Sequence, residues 1–101
     1  MASRLELHEE LINILGNRYV YFQPPSSIRM TYPAIVYKVD QVKKTHANDS
    51  PYTHAIGYQI TVIDEDPDSE LFEKMLSFPM TSFIRHYVAD NLNHWVFLTF
   101  Y

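Results

Sequence analysis

The stretch from Thr81 to Tyr101, TSFIRHYVADNLNHWVFLTFY, constrains this chain most. Two runs rich in β-branched and aromatic residues flank the turn formers Asp90, Asn91, Leu92 and Asn93. That pattern predicts a β-hairpin with a four-residue connection. Side chains alternate along a strand. Trp95, Phe97 and Tyr101 therefore share one face of the last strand, and Val96, Leu98 and Phe100 the other. A small sheet needs only one apolar face for its own core. The expectation is that helices cover one set and a partner subunit at least partly covers the other.

The rest of the chain has to supply the covering elements. Leu5, Leu11, Ile12 and Leu15 recur at helical spacing, with His8 at the edge, and predict a helix from about Arg4 to Leu15. Ser3 and Glu6 stand at capping-box spacing, and Gly16 fits the left-handed position that closes a helix. Tyr19–Phe22 reads as a short strand stopped by Pro24 and Pro25, because proline cannot donate to a ladder. Residues 28–32 favour no single state.

Two longer strands follow, Ala34 to about Lys44 and about Tyr52 to Asp64. The polar residues 45–51 join them, so the pair predicts a long hairpin arm with a mobile tip. Asp66 before Pro67 reads as the N-cap of a second helix, from about Pro67 to Ser77, with Leu71, Phe72, Met75 and Leu76 as its stripe. The order is α-β-β-β-α-β-β. Strands dominate, and the two helices need a sheet to pack on, so the class is α+β with a mainly antiparallel sheet. At 101 residues, without repeats or a linker, the whole chain is expected to form one domain.

Composition narrows the function classes. A net charge of −4 argues against a general nucleic-acid binder, which carries a basic field. Cysteine is absent, so thiolate catalysis, zinc–thiolate sites and disulfides are excluded. No apolar run approaches the roughly 20 residues of a spanning helix, and the amphipathic N-terminus does not read as a signal peptide. The expected site of synthesis is a cytoplasm. Only two glycines occur, and no phosphate-binding loop is spelled out.

Candidate chemistry is sparse. Asp64, Glu65, Asp66 and Asp68 are hard oxygen donors of the type that binds Mg²⁺ or Ca²⁺. They lack the spacing of a calcium loop, and acids at a helix start complement its dipole without any ion. His86 and His94 flank the hairpin turn. Pairing Ala89 with His94 across a four-residue loop puts the two imidazoles on opposite faces, where they share no ion. Arg85, His86, Tyr87 and Asp90 form no recognisable base–orienter arrangement. Lys38, Lys43 and Lys44 read as edge lysines that discourage unwanted pairing. No catalytic, cofactor-binding or metal-binding residue is therefore assigned.

Fifteen aromatic residues, eight of them tyrosine, are many for so small a body, and interfaces favour such residues. The interface candidates are Tyr37, Tyr52, Tyr58, Arg85, Tyr87, Trp95, Phe97, Phe100 and Tyr101. The segments YQITVIDEDPDS (58–69), RHYVADNLNH (85–94), YFQPP (21–25) and YPAIVY (32–37) together resemble a family of small structural proteins of tailed bacteriophages. They look most like the tail terminators. The resemblance implies α+β subunits in a ring, commonly a hexamer, that caps the tail tube and meets the neck or connector proteins of the virion. It implies no catalytic residue. No cofactor, sequence-specific nucleic acid or membrane is expected as a partner. Two alternatives come from other classes: a small metal-dependent enzyme using the Asp64–Asp68 loop, and a monomeric module directed at the host.

Overall fold

A computed structural model describes residues 4–45 and 53–101. The elements are α1 (Arg4–Leu15), β1 (Val20–Phe22), β2 (Ala34–Thr45), β3 (Thr53–Asp64), α2 (Glu70–Leu76), β4 (Thr81–Ala89) and β5 (Leu92–Phe100). Two helices pack on one five-stranded sheet ordered β1-β2-β3-β5-β4. The α+β class and the order α-β-β-β-α-β-β are those expected. Only β1 and β2 run parallel; every other pair is antiparallel. That one parallel contact follows from the connection through residues 23–33, which carries the chain back to the sheet's starting end. The Tyr32–Pro33 peptide within it is cis.

The helix-covered face collects Ile35 and Tyr37 from β2, Tyr58, Ile60 and Val62 from β3, and Trp95 and Phe97 from β5. From α1, Leu7, Leu11 and Leu15 are buried on it, and from α2, Leu71 and Met75. Leu5 was expected in the α1 stripe but is 65% exposed; the buried row runs 7, 11, 15 instead. A strict i, i+4 row drifts only slowly round a helix, so it stays over the sheet for all three turns. Gly16 has φ +83° and donates to the Ile12 carbonyl at 2.8 Å, closing α1 as its sequence position implies. The expected Ser3 cap lies outside the described residues.

α2 starts three residues later than expected. Ser69, not Asp66, is the N-cap, its hydroxyl accepting from Leu71 N–H at 3.3 Å. Two of the four acids ahead of it are used locally. Asp64 accepts from Asp66 N–H at 3.1 Å and Asp66 from Asp68 N–H at 2.9 Å, forming consecutive side-chain turns. Such turns compete with helix for the same backbone donors, which delays the first helical residue.

β2 and β3 pair over their whole lengths, from Ala34↔Ile63 to Thr45↔Thr53. β5 pairs with β3 only as far as Gly57, and β1 covers β2 only at 35–37. The far part of the hairpin therefore runs beyond its neighbours as a two-stranded arm, and the molecule measures 52 × 25 × 22 Å. Its tip, residues 46–52, with the interface candidate Tyr52 and the expected mobility, lies outside the described residues. Gly57 marks the root of the arm. A Cβ there would stand 2.8 Å from Gln41 Cγ and 3.0 Å from a Phe100 ring carbon, so the close approach requires glycine.

Candidate functional site

The terminal hairpin is built on a two-residue turn rather than the four residues expected. Ala89 pairs with Leu92, and Asp90 and Asn91 take φ of +54° and +63°. Both values belong to the primed turn whose twist matches that of the strands. A bulge at Ile84 then shifts the register, so that Phe83 pairs with Phe97 and Arg85 with Val96. His86 sits opposite Trp95, and His94 opposite Tyr87. The two histidines still fall on opposite faces, as expected, although the turn length and the pairings differ from those expected.

The two strands of this hairpin have opposite fates. β5 lies between β3 and β4, and Asn93, Trp95, Val96, Phe97 and Thr99 are buried. Trp95 and Phe97 face the helices with Phe72 6.4 and 6.0 Å away, and Phe78 stacks on Tyr101 at 6.1 Å. The Trp95–Phe97–Tyr101 set is thus the one the helices cover. Val96, Leu98 and Phe100 face the other way; Val96 is buried and the other two are partly covered.

β4 is the terminal strand of the sheet. Phe83 is 41% exposed, Ile84 48%, Tyr87 41% and Val88 62%, and Met80 just ahead of the strand is 72% exposed. Phe83 keeps one side against Phe72 at 5.2 Å and Phe97 at 5.5 Å. Tyr87 stacks on His94 at 4.6 Å, with the Arg85 guanidinium 5.9 Å from the Tyr87 ring. His86 approaches Asn93 Oδ1 at 3.0 Å. These contacts seat one side of the Phe83 and Tyr87 rings against neighbouring side chains. Their energetic worth in the isolated subunit is small because one side of each ring still faces water.

The remaining interface candidates sort by the same test. Tyr37, Tyr58, Trp95 and Phe97 are core residues of the subunit, not free surface. Tyr37 explains why a tyrosine can stand there. Its hydroxyl is 3.1 Å from Arg4 Nη1 and 2.7 Å from His8 Nδ1, so the buried polar tip is satisfied from α1. Burial pushes the pKa of Tyr37 up, opposed by the hydrogen bond and charge of Arg4; burial likewise raises Tyr58. Arg4 also lies 4.2 Å from the centroid of Phe22 on β1. Exposed Phe83, Ile84 and Val88 were not singled out from the sequence. Their alternation is indistinguishable from that of a buried strand, and only the strand order reveals them.

The opposite sheet face, under residues 23–30, holds a cleft of about 510 Å³ lined among others by Pro25, Met30, Val36, Lys38, Gln59 and Thr61. Among the described residues, no carboxylate or imidazole lines it. Among the described residues no three acidic or histidine side chains converge as a metal site, and no helix is long and apolar enough to cross a membrane. The chain matches no protein-family model and no curated protein.

Proposed function

We propose that this chain is a structural subunit of a tailed-phage virion, a tail terminator or head–tail joining protein that assembles into a ring between the tail tube and the neck. The observation that carries the reading is β4: a nine-residue edge strand exposing four large apolar side chains, with no lysine or proline to blunt it. Soluble subunits normally guard such an edge, because an open strand templates further pairing. Here the guard consists of one bulge and Arg85. An edge so dressed fits a strand that is covered in an assembly. The projecting β2–β3 arm adds a second element that reaches past the body of the subunit. The resemblance of four segments to phage neck and tail proteins supplies the kind of assembly.

The enzyme alternative asks the Asp64–Asp68 carboxylates to bind a cation, yet Asp64 and Asp66 accept backbone N–H groups of their own loop. Light scattering coupled to size exclusion, followed by imaging of the assembled fraction, tests the reading. A ring of several copies supports it. A monomer at every concentration and salt, in the presence or absence of isolated phage tails, contradicts it.

A further inference from the structure

The register of the sheet gives every residue of β4 a level, and the far edge of the same sheet has residues at those levels. His86 is level with Trp95, Val62, Ile35 and Val20; Arg85 is level with Val96, Thr61, Val36 and Tyr21. Tyr87 is level with His94, Ile63 and Ala34. One step back from Val20 on β1 puts Tyr19 there too, and the Ile35 N–H donates to the Tyr19 carbonyl at 3.0 Å. β1 runs parallel to β2. Three successive antiparallel pairings, β2 to β3, β3 to β5 and β5 to β4, make β4 antiparallel to both. Rotation about an axis along the strands moves no residue along that axis. For strands untilted to that axis, copies so related bring β4 beside the next copy's β1, antiparallel and at equal level; a tilt would add a constant stagger.

We propose that β4 of one copy pairs with β1 of the next, so that the sheet continues round a closed ring with Tyr87 facing the next copy's Tyr19 and Arg85 its Tyr21. This rests on the self-assembling reading above and specifies its partner surface: a second copy of this chain, joined head to tail. Two arguments select this occupant. The first is charge. A β4–β4 contact about a two-fold axis sets Arg85 against or beside its own copy, and like charges placed opposite are destabilising. At the levels of Tyr87 and Arg85 the far edge offers Tyr19 and Tyr21, uncharged rings to which a guanidinium is attracted, with Arg18 one residue further along and Arg4 over Phe22. The second is area. Met80, Phe83, Ile84, Tyr87 and Val88 together expose on the order of 500 Å² of apolar surface, and only part of it lies at the levels of the three-residue β1. That falls short of the roughly 800 Å² per partner of a stable two-body interface. A ring holds every copy through both of its edges, so closure supplies what one contact lacks.

The chain has no cysteine, so engineered pairs are unambiguous. Four double variants share the same four positions: Tyr87→Cys with Tyr19→Cys, Arg85→Cys with Tyr21→Cys, and the crossed sets Tyr87→Cys with Tyr21→Cys and Arg85→Cys with Tyr19→Cys. Circular dichroism first establishes that each is folded. Mild oxidation of the first two should give a ladder of disulfide-linked multimers beyond the dimer, at least about tenfold faster than the crossed sets, because opposite residues meet the Cα spacing a disulfide needs and diagonal ones exceed it. Equal rates for direct and crossed sets overturn the equal-level register. Rapid dimer formation by Arg85→Cys or Tyr87→Cys alone overturns head-to-tail pairing in favour of β4 on β4. Assembled wild type whose variants never link overturns the inference and leaves the ring reading standing. A wild type that never assembles removes both.

Discussion

β4 and β5 are consecutive, similar in length and similarly rich in aromatic and branched residues, yet one is core and the other surface. β5 has a strand on each side and helices over Trp95 and Phe97. β4 has one neighbour and is exposed along nearly its whole length. The difference does not come from residue type. It comes from strand order: the chain inserts its last strand beside β3 and leaves the preceding one outside. Aromatic density in a sequence marks where apolar surface must be covered, and topology decides whether the chain itself covers it.

The comparison breaks most visibly at Phe97. It is fully buried and touches both Phe72 and Phe83. Phe97→Ala should cost about 3–5 kcal/mol of unfolding free energy, read from denaturant melts. A loss below about 1 kcal/mol would mean that β5 is not the core strand described.

At the root of the arm, Gly57→Ala should destabilise by about 1–3 kcal/mol, since the new methyl meets Gln41 and Phe100. A neutral result would show that Phe100 is not seated over this glycine.

A smaller effect separates the two helix-start candidates. Ser69→Ala should lose about 1 kcal/mol as the cap of α2 is removed, and Asp66→Ala less. The reverse ranking would restore Asp66 as the cap. Added Mg²⁺ or Ca²⁺ should leave the melting temperature of the wild type unchanged; a rise of several degrees would revive the cation-binding alternative.

The smallest effect concerns the tyrosines of the covered face. Burial raises Tyr37 and Tyr58, so the folded chain keeps protons that the unfolded chain gives up above about pH 10. Their contribution is fully present below that pH and is lost as pH rises through the raised folded values. The alkaline decline in stability should be shallower in Tyr37→Phe. An unchanged slope would show that Tyr37 ionises as easily in the folded chain as in the unfolded one.

Much of this fold is legible in the sequence because local signals coincide with it. α1 has its expected bounds, Gly16 closes it, and the long β2 and β3 follow their alternation. Three features are not legible. The parallel β1–β2 contact depends on the path of residues 23–33, which have no regular periodicity. The bulge at Ile84 and the two-residue turn at Asp90–Asn91 differ from a four-residue loop only in register, which propensity does not encode. Ser69 and Asp66 are both good cap residues, and the choice between them is made by side-chain turns within the acidic loop. Aromatic enrichment points equally to Tyr37, which is buried, and Tyr87, which is exposed.

β5 is a core strand of the fold, and β4 is proposed as the strand of assembly. Val88 is the most exposed large apolar residue within β4, and Val88→Lys leaves the core untouched. Mass by light scattering across a concentration series, with denaturant melts on the same samples, tests the claim most directly. The account predicts a wild type that grows to a multi-copy ring and a Val88→Lys variant that stays monomeric with stability within about 0.5 kcal/mol of wild type. A variant that assembles like the wild type, or a wild type that remains a monomer throughout, would contradict it.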